Sequence, residues 1–337
     1  LPCLEEPDGA LQEGNPELPW HAREAIDRGD ILGHAVVADK VDEPALYSIL
    51  LLLSRLAQER GLGRRFRVFI AEEMFRRVQT ALELPADRFP EEMVSFRDSL
   101  RALGLTAADL LIPVPHLGQS ALFEILRACR FGLFYNTFAE PFGFYPLESV
   151  FHGCPIYTNG IGNLRYLLPE GCGIHVHETE AMGFGDPMAY LPVAEVIYRD
   201  AVTDPASAEE RCRRGAEFIL RSYNRESFRR DVAAELDRLD AKPETFDFDS
   251  LIVRLSPLVR LWSPATRRAL TDHSPRMLSE NERDLTEAAL GRTCGEIRRS
   301  TGEREIEILQ NLFQTGILAL THPRPSTPEG AFRGARA

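Results

Sequence analysis

Over the first two-thirds of the chain, short apolar runs alternate with stretches whose apolar residues recur at helical spacing. Residues 31–41, 66–71, 110–115, 131–135, 155–158 and 173–176 are short and predominantly apolar, and are expected to be strands buried on both faces. Amphipathic segments separate them, and three more follow at 191–201, 208–222 and 226–239. Strands joined by helices imply right-handed crossovers and a parallel sheet, which gives an α/β, Rossmann-like fold class. Such a sheet binds ligands beyond the carboxyl ends of its strands.

The period changes near Phe246. Residues 251–262 and 269–278 alternate like a hairpin, and Ser279 and Glu282 have the spacing of a capping box. Helices are expected at 293–299 and 303–314, then a short strand at 317–320, with Gly291 and Gly316 standing where helices should stop. Hairpin, three helices and a returning strand suggest a small α+β winged helix. The chain thus divides into four parts. Residues 1–28, acidic and rich in Pro and Gly, are a linker or the remnant of an upstream domain; 29–242 form the sheet domain; 248–322 form the winged helix; 323–337 are a disordered tail.

Composition narrows the function. The sequence is 337 residues long, 44% hydrophobic and 27% charged, with a formal net charge of −12. That charge opposes general attraction to nucleic acid or anionic membranes. No apolar run reaches the ~20 residues of a membrane helix. The first residues lack the basic and apolar regions of a signal peptide. Six cysteines are scattered without a Cys-x-x-Cys pair, which suggests a reduced, cytoplasmic setting. The chain opens on Leu1 rather than Met, so a longer or processed parent is expected.

The strongest chemical signal is Phe138-Ala139-Glu140-Pro141-Phe142-Gly143-Phe144-Tyr145-Pro146-Leu147-Glu148-Ser149, which follows one apolar run and opens a helix. A Gly in a strand-to-helix turn lets backbone N–H groups approach a phosphate, and the helix N-terminus adds partial positive charge. Carboxylates flanking that turn can each accept hydrogen bonds from a sugar diol. Two isolated glutamates would more often be solvated surface residues; the strand before them and the Gly-x-Pro after them favour a binding role.

This segment resembles the Glu-x7-Glu motif of retaining GT-B glycosyltransferases (glycosyl transferases group 1 type), with Gly153-Cys154-Pro155-Ile156 as helix stop and next strand. The resemblance implies a donor-binding domain that takes a nucleotide-diphosphate sugar as substrate, with no cofactor and no metal. Glu140, the catalytic candidate, would face the donor hexose, and Glu148 the ribose diol. The main chain of Phe142, Gly143 and Phe144 would lie by the distal phosphate. Val36-Val37-Ala38-Asp39-Lys40-Val41 resembles the family's first strand and basic turn, which makes Lys40 a phosphate ligand. Asp42-Glu43-Pro44-Ala45 stands where the family has a second Lys before a Gly. Thr158-Asn159-Gly160-Ile161-Gly162-Asn163 resembles the loop beside the transferred sugar, with Gly162 retained and Arg165 in place of an acidic residue. His116-Leu117-Gly118 resembles the loop near the nucleotide base, and His116 joins the donor-binding set. Phe134 and Tyr135 are expected in the core. His175 and His177 alternate on one strand face without a third ligand at metal spacing, which favours packing over a metal.

In the small domain, Leu255–Leu261, Leu285–Ile297 and Ile308–Leu318 resemble the PqqD-like winged helices that recognise precursor peptides. The resemblance implies a peptide or protein acceptor. Residues 257–322 hold nine Arg and nine acidic residues, so a DNA reader's basic excess is missing. A docking or dimerisation module would show the same apolar pattern. Two functions therefore compete. One is a nucleotide-sugar-dependent hexosyltransferase, completed by a separate acceptor-binding domain. The other is a non-catalytic nucleotide-sugar-binding or protein-docking module.

Overall fold

The structure, a computed structural model, describes residues 17–35, 41–85, 88, 93–137, 143–179, 186–239, 247–271 and 275–321. Two compact units part chiefly between residues 240 and 241.

The first unit begins α1 (Trp20–Asp27), β1 (Ile31–Ala35), α2 (Glu43–Glu59), β2 (Phe66–Ala71), α3 (Glu72–Glu83), α4 (Val94–Leu103), α5 (Ala107–Leu110), β3 (Leu111–Val114). It continues α6 (Gln119–Ala128), β4 (Phe131–Phe134), α7 (Phe144–Phe151), β5 (Ile156–Thr158), β6 (Ile174–Val176), α8 (Leu191–Tyr198), α9 (Pro205–Ser222) and α10 (Arg225–Leu239). The six strands form one parallel sheet in the order β3-β2-β1-β4-β5-β6. The strand order reverses between β1 and β4, the point where doubly wound sheets open a ligand crevice.

Period-2 alternation assigns each strand residue to a face. Ile31 and Ala35, Phe66, Val68 and Ile70, Phe131 and Leu133 share one core with Leu46, Ile49, Leu50 and Leu53 of α2 and Val193 and Ile197 of α8. On the other face, Leu32, Phe69, Ile112 and Val114 pack with α1 and α6, while Phe134 and Ile156 pack with α7 and α9. Leu50 and Leu53 are fully buried; each such side chain contributes roughly 1.5–3 kcal/mol of burial free energy. Helix α2 starts cleanly because Asp42 accepts from the Ala45 N–H at 3.1 Å and Pro44 sits in the first turn, where no N–H is needed.

The N-terminal expectation needs correction. Residues 20–27 are helical, and Ala22 and Ala25 are buried with Leu18 against the β1–β2–β3 side of the sheet. They belong to the first unit rather than to a linker. Alanines at i and i+3 bury a face at close approach, yet they present almost no hydrophobic contrast to a pattern reading.

The second unit contains β7 (Ile252–Leu255), β8 (Val259–Ser263), β9 (Arg268–Thr271), β10 (Pro275–Met277), α11 (Glu280–Ala289), α12 (Cys294–Ser300), α13 (Glu303–Gln314) and β11 (Leu318–Thr321). Residues 251–262, expected as one hairpin arm, are two strands. β7 pairs antiparallel with β11, and β8 pairs antiparallel with β9. The break falls at Ser256-Pro257-Leu258, where Pro257 lacks an N–H and the Val259 N–H closes a turn onto the Ser256 carbonyl at 2.9 Å. Ser279/Glu282 and Thr293/Glu296 form capping boxes for α11 and α12, and Gly291 and Gly316 adopt positive φ just past α11 and α13. The core gathers Val253, Ala269, Leu278, Ala289, Ile297, Leu309, Leu312, Ile317 and Leu318. The polar flank of α13 (Arg304, Glu307, Gln310, Asn311) faces solvent.

Candidate functional site at the strand-order reversal

The motif residues within the described chain meet at the carboxyl ends of β4 and β5. Gly143 caps α7 in the left-handed region, with φ 38° and ψ 55°. Two constraints select glycine here. The backbone is disfavoured for other residues, and a Cβ would stand 2.7 Å from Leu167 Cδ1 and 3.1 Å from Leu164 Cδ2. Pro146 lies in the first turn of α7, where its missing N–H costs no helical bond. Phe144 is exposed at the helix start.

Glu148 follows on the next turn of α7 and is half-buried. Among the described residues no cation or donor holds its carboxylate, and desolvation alone raises its pKa to about 7.

The loop after β5 is rigidly tied. Thr158 Oγ1 donates to the Phe134 carbonyl at 2.7 Å, and the Gly160 N–H returns to that oxygen at 3.1 Å. Asn159 Nδ2 donates to the Asn136 carbonyl at 2.7 Å, linking the ends of β4 and β5. Gly162 has φ 72° and ψ −140°, a conformation essentially confined to glycine. Arg165, which stands where the resemblance leads one to expect an acidic side chain, is ion-paired with Glu178 just beyond β6.

His116 is exposed in the loop after β3. Phe134 and Tyr135 are core residues, as expected. Lys40, Glu140 and Phe142 lie outside the described residues. Among those described, no three His, Cys, Asp or Glu side chains converge as metal ligands. His177 instead contacts the Ala189 carbonyl at 3.1 Å, and burial lowers its pKa to about 4.

A polar chain under α7 escaped the sequence reading. His34, fully buried near the end of β1, bonds Ser149 Oγ at 2.8 Å through Nε2 and the Tyr145 hydroxyl through Nδ1. Ser149 Oγ in turn donates to the Cys154 carbonyl at 3.0 Å. Two cavities lie elsewhere in the first unit. One, of about 360 Å³, is bordered by Gln58, Arg64, Arg65 and Asp109; the other, of about 460 Å³, by Leu51, Arg55, Leu103 and Met188.

No protein-family model matches the chain, and no curated protein does. Solved structures share its outline at low similarity. Alr3699/HepE of Anabaena, in complex with UDP and glucose, is 14% identical over 64% of this chain and 50% of its own, with a TM-score of 0.42. Sucrose-phosphate synthase from Thermosynechococcus elongatus is 17% identical over 67% and 49%, with a TM-score of 0.41. An α,α-trehalose 6-phosphate synthase from Burkholderia multivorans is 13% identical over 65% and 45%, with a TM-score of 0.42. The chain spans about half the length of the structures it matches. At such scores the α/β assignment rests on the sheet order and register described above. Among the described residues, no helix is long and apolar enough to cross a membrane.

Proposed function

We propose that the first unit is the nucleotide-sugar-binding half of a retaining GT-B-type glycosyltransferase. The carrying observation is Glu148, a half-buried carboxylate without a partner among the described residues, on the helix that opens from left-handed Gly143 at the strand-order reversal. In this reading Glu148 accepts from the two hydroxyls of the ribose. The α7 N-terminus and the main chain at Gly143 and Phe144 face the diphosphate, and Lys40 neutralises it. Glu140 holds the hexose hydroxyls, and Gly162 lets the backbone come close to the sugar. Transfer with retention then proceeds as the leaving phosphate oxygen takes the proton of the incoming acceptor hydroxyl on the same face. The protein's main contribution is stabilisation of charge on that phosphate. No cofactor is required. A separate acceptor-binding domain completes the cleft, and the second unit, PqqD-like, presents a peptide or protein acceptor.

Calorimetry with UDP, GDP and ADP tests the donor site. One of the three should bind, and Glu148→Ala should cost roughly 2–4 kcal/mol of affinity by removing charge-assisted hydrogen bonds. Glu140→Gln should weaken the nucleotide sugar more than the nucleotide diphosphate. Binding of none of the three by the folded chain rejects the reading. For the second unit, peptide binding should depend little on salt, since its charges balance; steeply salt-dependent duplex DNA binding without peptide binding rejects the acceptor role.

A further inference from the structure

The buried chain under α7 has a direction that its chemistry fixes. A carbonyl cannot donate, so in the 3.0 Å contact between Ser149 and Cys154 the hydroxyl proton points to the carbonyl. Ser149 Oγ must therefore accept from His34, which places the ring proton on Nε2. Burial keeps the imidazole neutral, with its pKa lowered to about 3. Nδ1 then offers a lone pair, and the Tyr145 hydroxyl donates to it. Every member of the chain is satisfied in one proton arrangement only.

The geometry has a mechanical consequence. Tyr145 and Ser149 are four residues apart, so they lie one above the other on the sheet-facing side of α7. One imidazole grips both, and the Tyr145 ring stands edge-on to it at 5.1 Å between centroids and 81° between planes. Leu147 and Val150 hold α7 by packing, and an apolar side chain at position 34 would add to that packing no directional restraint on turning about the helix axis. Two directional bonds to residues four apart forbid that rotation. Glu148 precedes Ser149, so the same rotation would swing its carboxylate around the helix. His34 itself stands on β1 beside the strand-order reversal, and its backbone pairs with Phe69 of β2 and Gly132 of β4.

We infer that His34 is the positioning residue of this site: it locks helix α7 through Tyr145 and Ser149 and so fixes the direction in which Glu148 points. His34 is 0% exposed and acts through the helix, touching no ligand. The part of this inference that concerns nucleotide rests on the donor-site reading above.

The test removes one arm at a time and leaves the ring in place, using Tyr145→Phe and Ser149→Ala in the full chain. In each variant the amides of residues 147–149 should exchange with deuterium at least ~5-fold faster than in the parent, while the amides of β1 and β4 keep their rates. Whichever of UDP, GDP and ADP binds the parent should bind Tyr145→Phe about 3- to 10-fold more weakly, the equivalent of one buried hydrogen bond. In a Glu148→Gln background, Tyr145→Phe should cause no further loss, because the lock acts only through that carboxylate. A structural role alone would lower stability and leave affinity unchanged, or add to Glu148→Gln, and either outcome overturns the inference. If the parent binds no nucleotide, the donor-site reading falls and the exchange rates decide: unchanged rates overturn the lock, and locally faster rates sustain it.

Discussion

Gly132 and His34 face each other across adjacent strands so closely that a Cβ at 132 would stand 2.5 Å from His34 Cε1 and 2.6 Å from Nε2. The glycine therefore makes the room in which the imidazole lies, and the ring cannot retreat because both its nitrogens are bonded. Gly132→Ala should displace the ring and break at least one of those bonds. Overpacking of this kind costs about 1–3 kcal/mol, and loss of the bond adds to it. Urea unfolding of the two proteins checks this; a change under ~0.5 kcal/mol would show that the ring has space to move.

What the sequence made legible follows from what local pattern encodes. The six strands were readable because each is an apolar run between amphipathic segments, and Gly143 and Glu148 because a fixed spacing links a tight turn to a helix start. Helix α1 was hidden because its buried face is made of Ala22 and Ala25. The split of 251–262 was missed although Pro257 marked it. His34 had no local signal at all. Its partners lie 111 and 115 residues away, and only folding brings a histidine in an apolar strand to a tyrosine and a serine on a distant helix. The Arg165–Glu178 pair is similar, since its partners are thirteen residues apart and only the fold brings them together.

Glu148 makes a pH prediction. Its carboxyl titrates at about 7 when folded and at the ordinary 4.5 when unfolded, so the native state holds a proton that the unfolded state releases. Stability from this group is therefore full below pH ~4.5, falls as pH rises to about 7, and is flat above. Glu148→Gln removes the dependence, so the stability difference between variant and parent should grow across that window. In the donor-site reading the ionised form accepts from the ribose, and nucleotide affinity should rise from pH 6 to 8 in the parent alone. Parallel stability curves for the two proteins would contradict a half-buried carboxylate without a partner among the described residues.

The second unit leans on its helix caps. Ser279 Oγ accepts from the Glu282 N–H at 3.2 Å, while the Glu282 carboxylate accepts from the Ser279 N–H at 2.9 Å and from Arg276 at 2.8 Å. Burial, the largest single effect, pushes the Glu282 carboxyl up, and the bonds from Ser279 and the Arg276 charge together outweigh it and hold the group below its ordinary pKa. Its contribution is thus present above pH ~4.5 and lost as pH falls below that value. Ser279→Ala should cost roughly 1 kcal/mol in the stability of this unit, followed by the exchange rates of the α11 amides. Rates unchanged in Ser279→Ala would mean the cap is dispensable.

Asp200 carries the largest expected stability effect. Its side chain is 2% exposed, and its carboxylate accepts from the Tyr157 hydroxyl at 2.7 Å, from Arg211 Nη2 at 2.5 Å and from Arg199 Nε at 3.0 Å. The three donors come from β5, α9 and the turn after α8, so one carboxylate ties a sheet strand to two segments packed beside it. Arg211 also donates to Ser207 Oγ at 2.9 Å, which fixes the guanidinium from the other side. Removing the acid leaves a largely buried cation and a buried phenol without an acceptor. The loss of one partner from a buried pair is worth about 3–5 kcal/mol, more than the pair contributes over an apolar replacement. Asp200→Ala should therefore unfold at markedly lower urea, Asp200→Asn should lose less because it keeps an acceptor, and Asp200→Leu combined with Arg211→Met should recover part of the loss. A double variant no more stable than Asp200→Ala would show that the cost comes from lost packing rather than from a stranded charge.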